Sequence, residues 1–234
     1  MNILAIGSHP DDIEYMCAGT LLKYKKAGHK IFIALTTSGN IGSNLHSSKA
    51  EIAAIREQEQ AEAAKFYDAE VRFLRFDDEG LLDTPQTRKA VVEAMRWANP
   101  DVILTNCPWD TSTDHAMTAK IVSEMLLSLP GKLITADVPP IQKAPSLFFF
   151  DTGGGIDFNP VAWVDISEFM ETKMEALHKH VSQYAWMKTF AEDDLYENCR
   201  VLARYRGMTC GCKYAEGFIG HKVYGYIADY RLLP

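Results

Sequence analysis

Ile3-Leu4-Ala5-Ile6-Gly7-Ser8-His9-Pro10-Asp11-Asp12-Ile13-Glu14 opens the chain and decides how the rest of it is read. An unbroken run of apolar side chains ending at Gly7 is the pattern of a strand buried on both faces, as in a parallel sheet. Polar residues follow at once. Asp11-Asp12 ahead of Ile13 has the chemistry of a helix start, a short polar side chain beside a carboxylate in the first turn. A buried strand that passes directly into a helix is the first half of a βαβ unit.

Outward from this stretch the alternation continues. A helix is expected over residues 20–27, stopping at Gly28, and a second buried strand over 31–36. Ser48-Lys49-Ala50-Glu51 fits a capping box for a helix reaching about Phe66. A third strand is expected over 71–76. Thr84-Pro85 supplies an N-cap and a first-turn proline for a helix reaching Trp97. Residues 101–105 read as the fourth strand and 114–127 as the helix after it. Beyond Pro130 the pattern loosens: Pro139-Pro140 and Gly153-Gly154-Gly155 mark loops around a short strand over 147–150. Two helices follow, from about 168 to 184 and from about 195 to 206. The fold class expected is α/β, a doubly wound, mostly parallel sheet of order 3-2-1-4-5 with a helical C-terminal portion. No repeat or long linker divides the chain, so residues 1–234 are expected to form a single domain.

The 234 residues carry 24 Lys plus Arg against 31 Asp plus Glu, a formal charge of −7. That balance excludes a surface built to neutralise phosphates, and with it nucleic acid as the expected partner. No apolar run approaches the roughly 20 residues of a membrane helix. The start has no basic segment or cleavage site of a signal peptide, so a reducing cytoplasm is expected. The five cysteines form no disulfide framework, and Cys210-Gly211-Cys212 lacks redox or zinc-ribbon spacing and reads as structural.

In the order 3-2-1-4-5 the crevice where strand order reverses lies between the first and fourth strands. Ser8-His9-Pro10-Asp11-Asp12-Ile13-Glu14 leaves the first, and Asn106-Cys107-Pro108-Trp109-Asp110-Thr111-Ser112-Thr113-Asp114-His115 leaves the fourth. His9, Asp12 and His115 together would offer two imidazoles and a carboxylate, a common set for a catalytic zinc that keeps a position open for water. The same set suits ferrous iron. A further carboxylate, Asp11 or Glu14, would take a proton from that water, whose pKa zinc lowers to about 7. A lone histidine at a strand end is more often a hydrogen-bonded structural residue, and Asp-Asp before a helix more often a cap beside a solvated charge. The prediction of all of them at one crevice is what favours a site.

His9-Pro10-Asp11-Asp12-Ile13-Glu14, Gly19-Thr20-Leu21 and the Asp114-His115 pair resemble the PIG-L/LmbE-like N-deacetylase family. Further motifs match in order: Thr37-Ser38-Gly39-Asn40-Ile41-Gly42, Arg56-Glu57 with Glu59, Asp77, Lys173 through Gln183, and Tyr214-Ala215-Glu216-Gly217-Phe218. The resemblance implies a zinc-dependent enzyme that removes acetyl groups from N-acetylglucosamine conjugates. It implies zinc ligands at His9, Asp12 and His115 and a general base at Asp11. It also implies substrate contacts at Arg56 and Asn40, with Asp114 orienting groups near the metal, and relatives of this kind are often homo-oligomers. For Arg56 a surface helix ion pair is the competing reading, and for Asn40 a simple turn role. One departure stands out. Ser112-Thr113-Asp114-His115 occupies the place of a His-Pro-Asp-His motif whose first histidine serves the oxyanion or the leaving amine. Loss of one oxyanion donor costs about 10²–10³ in turnover. Ser112 cannot act as a cationic acid, although its hydroxyl can donate a neutral hydrogen bond. His178, His180, Tyr214 or a partner subunit are the candidates to fill the histidine's role, with an exposed helix face the simpler expectation for both histidines.

The expected function is hydrolysis of an N-acetyl group from a small N-acylated amino sugar or its conjugate. The alternatives are an amidase acting on a larger acyl group, and a metal-binding homologue weakened by Ser112. A nucleotide-binding module is disfavoured, because Gly7-Ser8-His9-Pro10-Asp11-Asp12 replaces the glycine-rich turn and sets carboxylates where a pyrophosphate would sit.

Overall fold

The structure is a computed structural model. It describes residues 1–134, 136–190, 192–224 and 229–234, and the backbone of 226–227. Five parallel strands form its centre: β1 (Asn2–Gly7), β2 (Lys30–Thr37), β3 (Glu70–Phe76), β4 (Val102–Thr105) and β5 (Ser146–Phe150). Two more, β6 (Ala162–Asp165) and β7 (Ala215–Gly220), extend the sheet on the β5 side in antiparallel fashion. The order is β3-β2-β1-β4-β5-β7-β6, with β1 pairing β2 on one side and β4 on the other. The expected 3-2-1-4-5 core and its switch point between β1 and β4 are both present. The strands β6 and β7 were not expected, and they place a sheet edge within the supposedly helical C-terminal portion. A separate short ribbon pairs β8 (Lys222–Val223) with β9 (Tyr226–Ile227).

The helices are α1 (Asp12–Met16), α2 (Ala18–Lys26), α3 (Lys49–Ala64), α4 (Pro85–Ala98), α5 (Thr113–Met125), α6 (Met170–Leu177), α7 (Val181–Phe190) and α8 (Leu195–Cys210). The starts of α3 and α4 follow the expected cap chemistry, whereas Asp11 precedes α1 without a side-chain cap bond. Ser48 accepts from the Glu51 amide, and Thr84 and Thr87 form a reciprocal box ahead of α4. None of the described helices is long and apolar enough to cross a membrane.

Successive residues of β1 divide between two hydrophobic clusters. Ile3 and Ala5 pack with Ile13, Leu21, Met170 and Leu195 on one face of the sheet. Leu4 and Ile6 pack with Val91, Met95, Ile121 and Val122 on the other. Burial on both faces is why the strand reads as a continuous apolar run rather than an alternation. The helix expected over 168–184 is instead two, interrupted at residues 178–180. There the chain tightens through i→i−3 bonds, Lys179 to Ala176 and His180 to Leu177, and His180 is drawn fully inside. Cys210 and Cys212 are free thiols at the end of α8, with the sulfurs 3.6 Å apart.

One buried ion pair ties the C-terminal elements to the first helices. Lys173 on α6 donates to Glu216 on β7 at 2.6 Å and to the Tyr15 carbonyl at 2.7 Å. Glu216 in turn accepts the backbone amides of Gly19 and Thr20 and the Thr20 hydroxyl, satisfying the free N–H groups at the start of α2. Gly19 lies against Ile166, and a Cβ there would stand 2.5 Å from Ile166 Cγ2. Gly19→Ala is therefore expected to destabilise the chain by about 1–3 kcal/mol through overpacking, despite alanine's better helix propensity. Urea unfolding of the variant beside the parent measures it.

Candidate active site

Because β1 and β4 are neighbours and parallel, the segments leaving their carboxyl ends meet at the switch point. His9 follows β1, Asp12 opens α1, and His115 lies in the first turn of α5. The three offer ligand atoms that all lie within 4.8 Å of one another. His9 Nδ1 is 3.2 Å from His115 Nε2, Asp12 Oδ1 is 3.2 Å from that same nitrogen, and Asp12 Oδ1 is 3.8 Å from His9 Nδ1. Ligands placed about 2.0–2.2 Å from one ion at tetrahedral angles stand about 3.3–3.6 Å apart. The donor set therefore fits a tetrahedral divalent ion in chemistry and in spacing.

The surrounding bonds orient each donor. Asp12 Oδ2 accepts from the Ser8 and His9 amides and from Asn106, at 2.8, 3.1 and 3.1 Å, so Oδ1 alone is turned toward the histidines. Each imidazole has one nitrogen facing inward and the other against a carboxylate. His9 Nε2 lies 3.0 Å from Asp78 and 3.4 Å from Asp114, and His115 Nδ1 lies 3.2 Å from Asp110. Carboxylates at the far nitrogen set the tautomer and raise the basicity of a ligating histidine. Electrostatics agree. Burial alone would lower the pKa of His9, but its bonds to Asp114, Asp12 and Asp78 outweigh that and hold it well above the usual value. His115 is likewise depressed by burial but raised further by the Asp12 charge and the Asp110 contact, to about 10. Burial would raise the pKa of Asp12, yet the two imidazoles hold it well below the carboxylate range. The pocket is built for positive charge between its ligands.

Asp11 precedes α1 with a φ of 112°, a left-handed conformation that aspartate tolerates better than most residues. Its side chain is nearly buried, and that burial lifts its pKa to about 6, against the opposing pull of Arg56. Arg56 is not part of a surface ion pair: only 2% of it is exposed. It donates to the Pro10 and Gly39 carbonyls at 2.6 and 2.9 Å and lies 3.3 Å from Asp11 Oδ1. Glycine is required at 39, because φ is +59° and a Cβ would stand 2.3 Å from the guanidinium.

The other singled-out residues divide. Asn40 donates to Asp77 at 2.7 Å and accepts from the Asp78 amide, so its side chain latches the segment after β3. Asp114 lines the cleft, touches His9 and accepts from the Glu79 amide. Asp77 faces Asn40 and Lys49, and it is Asp78 that reaches His9. The adjacent pair was visible in the sequence, but a loop has no periodicity to tell which carboxylate turns inward. His180, expected on an exposed face, is completely buried and pairs with Glu14 at 3.0 Å, while Glu14 also accepts from Gln60. His178 is exposed and packs on the Tyr196 ring, and Tyr214 is bonded to Ser167. None of these three is among the described residues lining the cleft, whereas Ser112 is.

The family profile of GlcNAc-PI de-N-acetylase (PIG-L) matches residues 4–126. The diacetylchitobiose deacetylase of Thermococcus kodakarensis is 30% identical over 229 residues, covering 92% of this chain and 81% of that protein. The probable N-acetyl-alpha-D-glucosaminyl L-malate deacetylase 2 of Bacillus anthracis is 25% identical, covering 87% and 92%. Among solved structures, the N,N'-diacetylchitobiose deacetylase from Pyrococcus horikoshii superposes with a TM-score of 0.81 at 26% identity, covering 94% of this chain and 83% of that one.

Proposed function

Since the chain belongs to the GlcNAc-PI de-N-acetylase (PIG-L) family, we propose that it is a metal-dependent N-deacetylase acting on N-acetylglucosamine-type sugars or their conjugates, with residues 1–234 working as one domain. The observation that carries this reading is the convergence of His9, Asp12 and His115, with Asp11 beside them, in one cleft at the switch point. His9, Asp12 and His115 would hold the ion, zinc by the spacing of its donors and ferrous iron by their type. A divalent ion there supplies Lewis acidity and lowers the pKa of a water it binds.

The chain's own groups do the rest. Asp11, with a pKa near 6, is ionised at neutral pH yet basic enough to accept a proton from the attacking water. Water adds to the acetyl carbon, the C–N bond breaks, and Asp11 returns its proton to the departing nitrogen, so acetate and a free amine leave. Arg56 holds Asp11 and the Gly39 segment in register. Ser112, at the N-cap of α5, lines the cleft and has no side-chain cap bond, so its hydroxyl, beside the positive end of that helix, would be the donor for the developing oxyanion. Ser112→Ala is expected to lower kcat by about 10²-fold with little change in KM.

Acetate release from N-acetylglucosamine and its β-linked disaccharide, with metal analysis of the same preparation, tests the proposal. Release that stops with chelator and returns with one ion per chain is expected. A chain that binds metal but frees no acetate from either substrate overturns it, and turnover restricted to longer N-acyl chains would identify the amidase alternative.

A further inference from the structure

The cleft that holds the histidines encloses about 1020 Å³. That is the upper end of the roughly 300–1,000 Å³ in which proteins hold drug-sized ligands, so one monosaccharide leaves much of it over. The remainder is bounded by Ile156, by Trp186 and Met187 of α7, and by Val201, Leu202 and Tyr205 of α8. Ile156, Val201 and Tyr205 are more than half exposed, at 55%, 54% and 51%. Apolar side chains concentrated at one concave, solvent-open face mark a place where something binds. The α8 side of the face is also anchored. Arg206 of α8 makes a buried two-bond pair with Asp151 and donates to the Phe158 carbonyl, which fixes the helix against the Gly153–Gly155 loop on the cleft's rim.

Charge narrows the occupant. Beside the carboxylates around the histidines, Glu79 and Asp193 line the cleft. Arg56 is the sole lysine or arginine among the described lining residues; its two terminal nitrogens are engaged by Pro10, Gly39 and Asp11, and its Nε is buried without a partner. Away from the histidines that would hold the metal, a carboxylate or phosphate on the substrate would meet Glu79 and Asp193 and no lysine or arginine of the described lining other than the buried Arg56. Resting on the deacetylase reading above, we propose that the α7–α8 face is a subsite for an uncharged, apolar aglycone attached to the amino sugar, seated on Trp186 and Tyr205.

Three substrates test it: N-acetylglucosamine, its phenyl glycoside and its 4-carboxyphenyl glycoside, the last two differing by one charge. The phenyl glycoside is expected to exceed the free sugar in kcat/KM by at least about tenfold, chiefly through KM, and the carboxyphenyl glycoside to fall about tenfold below it. Trp186→Ala should bring the phenyl-to-free-sugar ratio close to one. Equal values for all three, or preference for the carboxylated substrate, overturn the subsite and leave the deacetylase standing. Equal values together with a smaller particle for Val201→Asp on gel filtration would give the face to a second copy of the chain. No acetate from any of the three sinks the deacetylase reading. Calorimetry with the product amines, phenyl glucosaminide against glucosamine, then decides the subsite without turnover.

Discussion

Replacing Asp11 by asparagine is expected to lower the rate of acetate release by about 10²–10⁴-fold while leaving the metal content of the purified chain unchanged. Asparagine keeps the shape of the side chain and also tolerates the left-handed backbone, so the turn into α1 persists. Arg56 keeps its bonds to Pro10 and Gly39. What disappears is the proton acceptor. Burial lifts the Asp11 pKa to about 6, above the unfolded value of 3.8, so the ionised form is the one the fold disfavours. That penalty is absent below pH 4 and present above pH 6, so at pH 7 its relief in the neutral variant offsets part of what the buried Arg56 loses with its carboxylate partner. His115→Ala provides the contrast, because it removes a donor and should lose metal and activity together. Metal analysis and acetate assays on both variants separate the two roles. Loss of metal from Asp11→Asn would make Asp11 a ligand instead.

Lys173→Met is expected to destabilise the chain by about 3–5 kcal/mol, although Lys173 lies outside the cleft. Its ammonium is buried with Glu216, and burial would lower its pKa were the Glu216 charge not raising it further. Removing the lysine leaves the Glu216 carboxylate inside with only the α2 amides and the Thr20 hydroxyl. For a chain of this length the midpoint of thermal unfolding moves by roughly 2–4 °C per kcal/mol, so a fall of about 10 °C is the expected reading. Adding Glu216→Gln should recover part of it, since an uncharged partner no longer needs the ammonium. A single variant with the parent's Tm would mean that water reaches Glu216.

How far the sequence carries a reader differs from element to element. Apolar runs between capped helices were enough for β1 to β5, because buried parallel strands are recognised from local pattern alone. The strands β6 and β7 escaped. Ala162–Asp165 is four residues long, and Ala215–Gly220 contains two glycines and a buried glutamate, a poor strand signature whose register is set by pairing with β5, about 70 residues earlier in the chain. The break between α6 and α7 escaped too, because its cause is the attraction of His180 to Glu14 at the far end of the sequence.

The sequence by itself determined the alternation of the first five strands with their helices and, once the order 3-2-1-4-5 is assumed for such an alternation, the segments that border the cleft; the pairing of β1 with both β2 and β4 bears that order out. Strand and helix signals are local, and the loops at a switch point have nowhere else to go. Only the tertiary structure decided which polar residue does what. Asp78 rather than Asp77 meets His9, Arg56 braces Asp11 from inside, and α7 and α8 present an apolar face beside the histidines. Each of these depends on the direction of a side chain in an irregular segment or on the packing of distant helices, and neither leaves a period in the sequence.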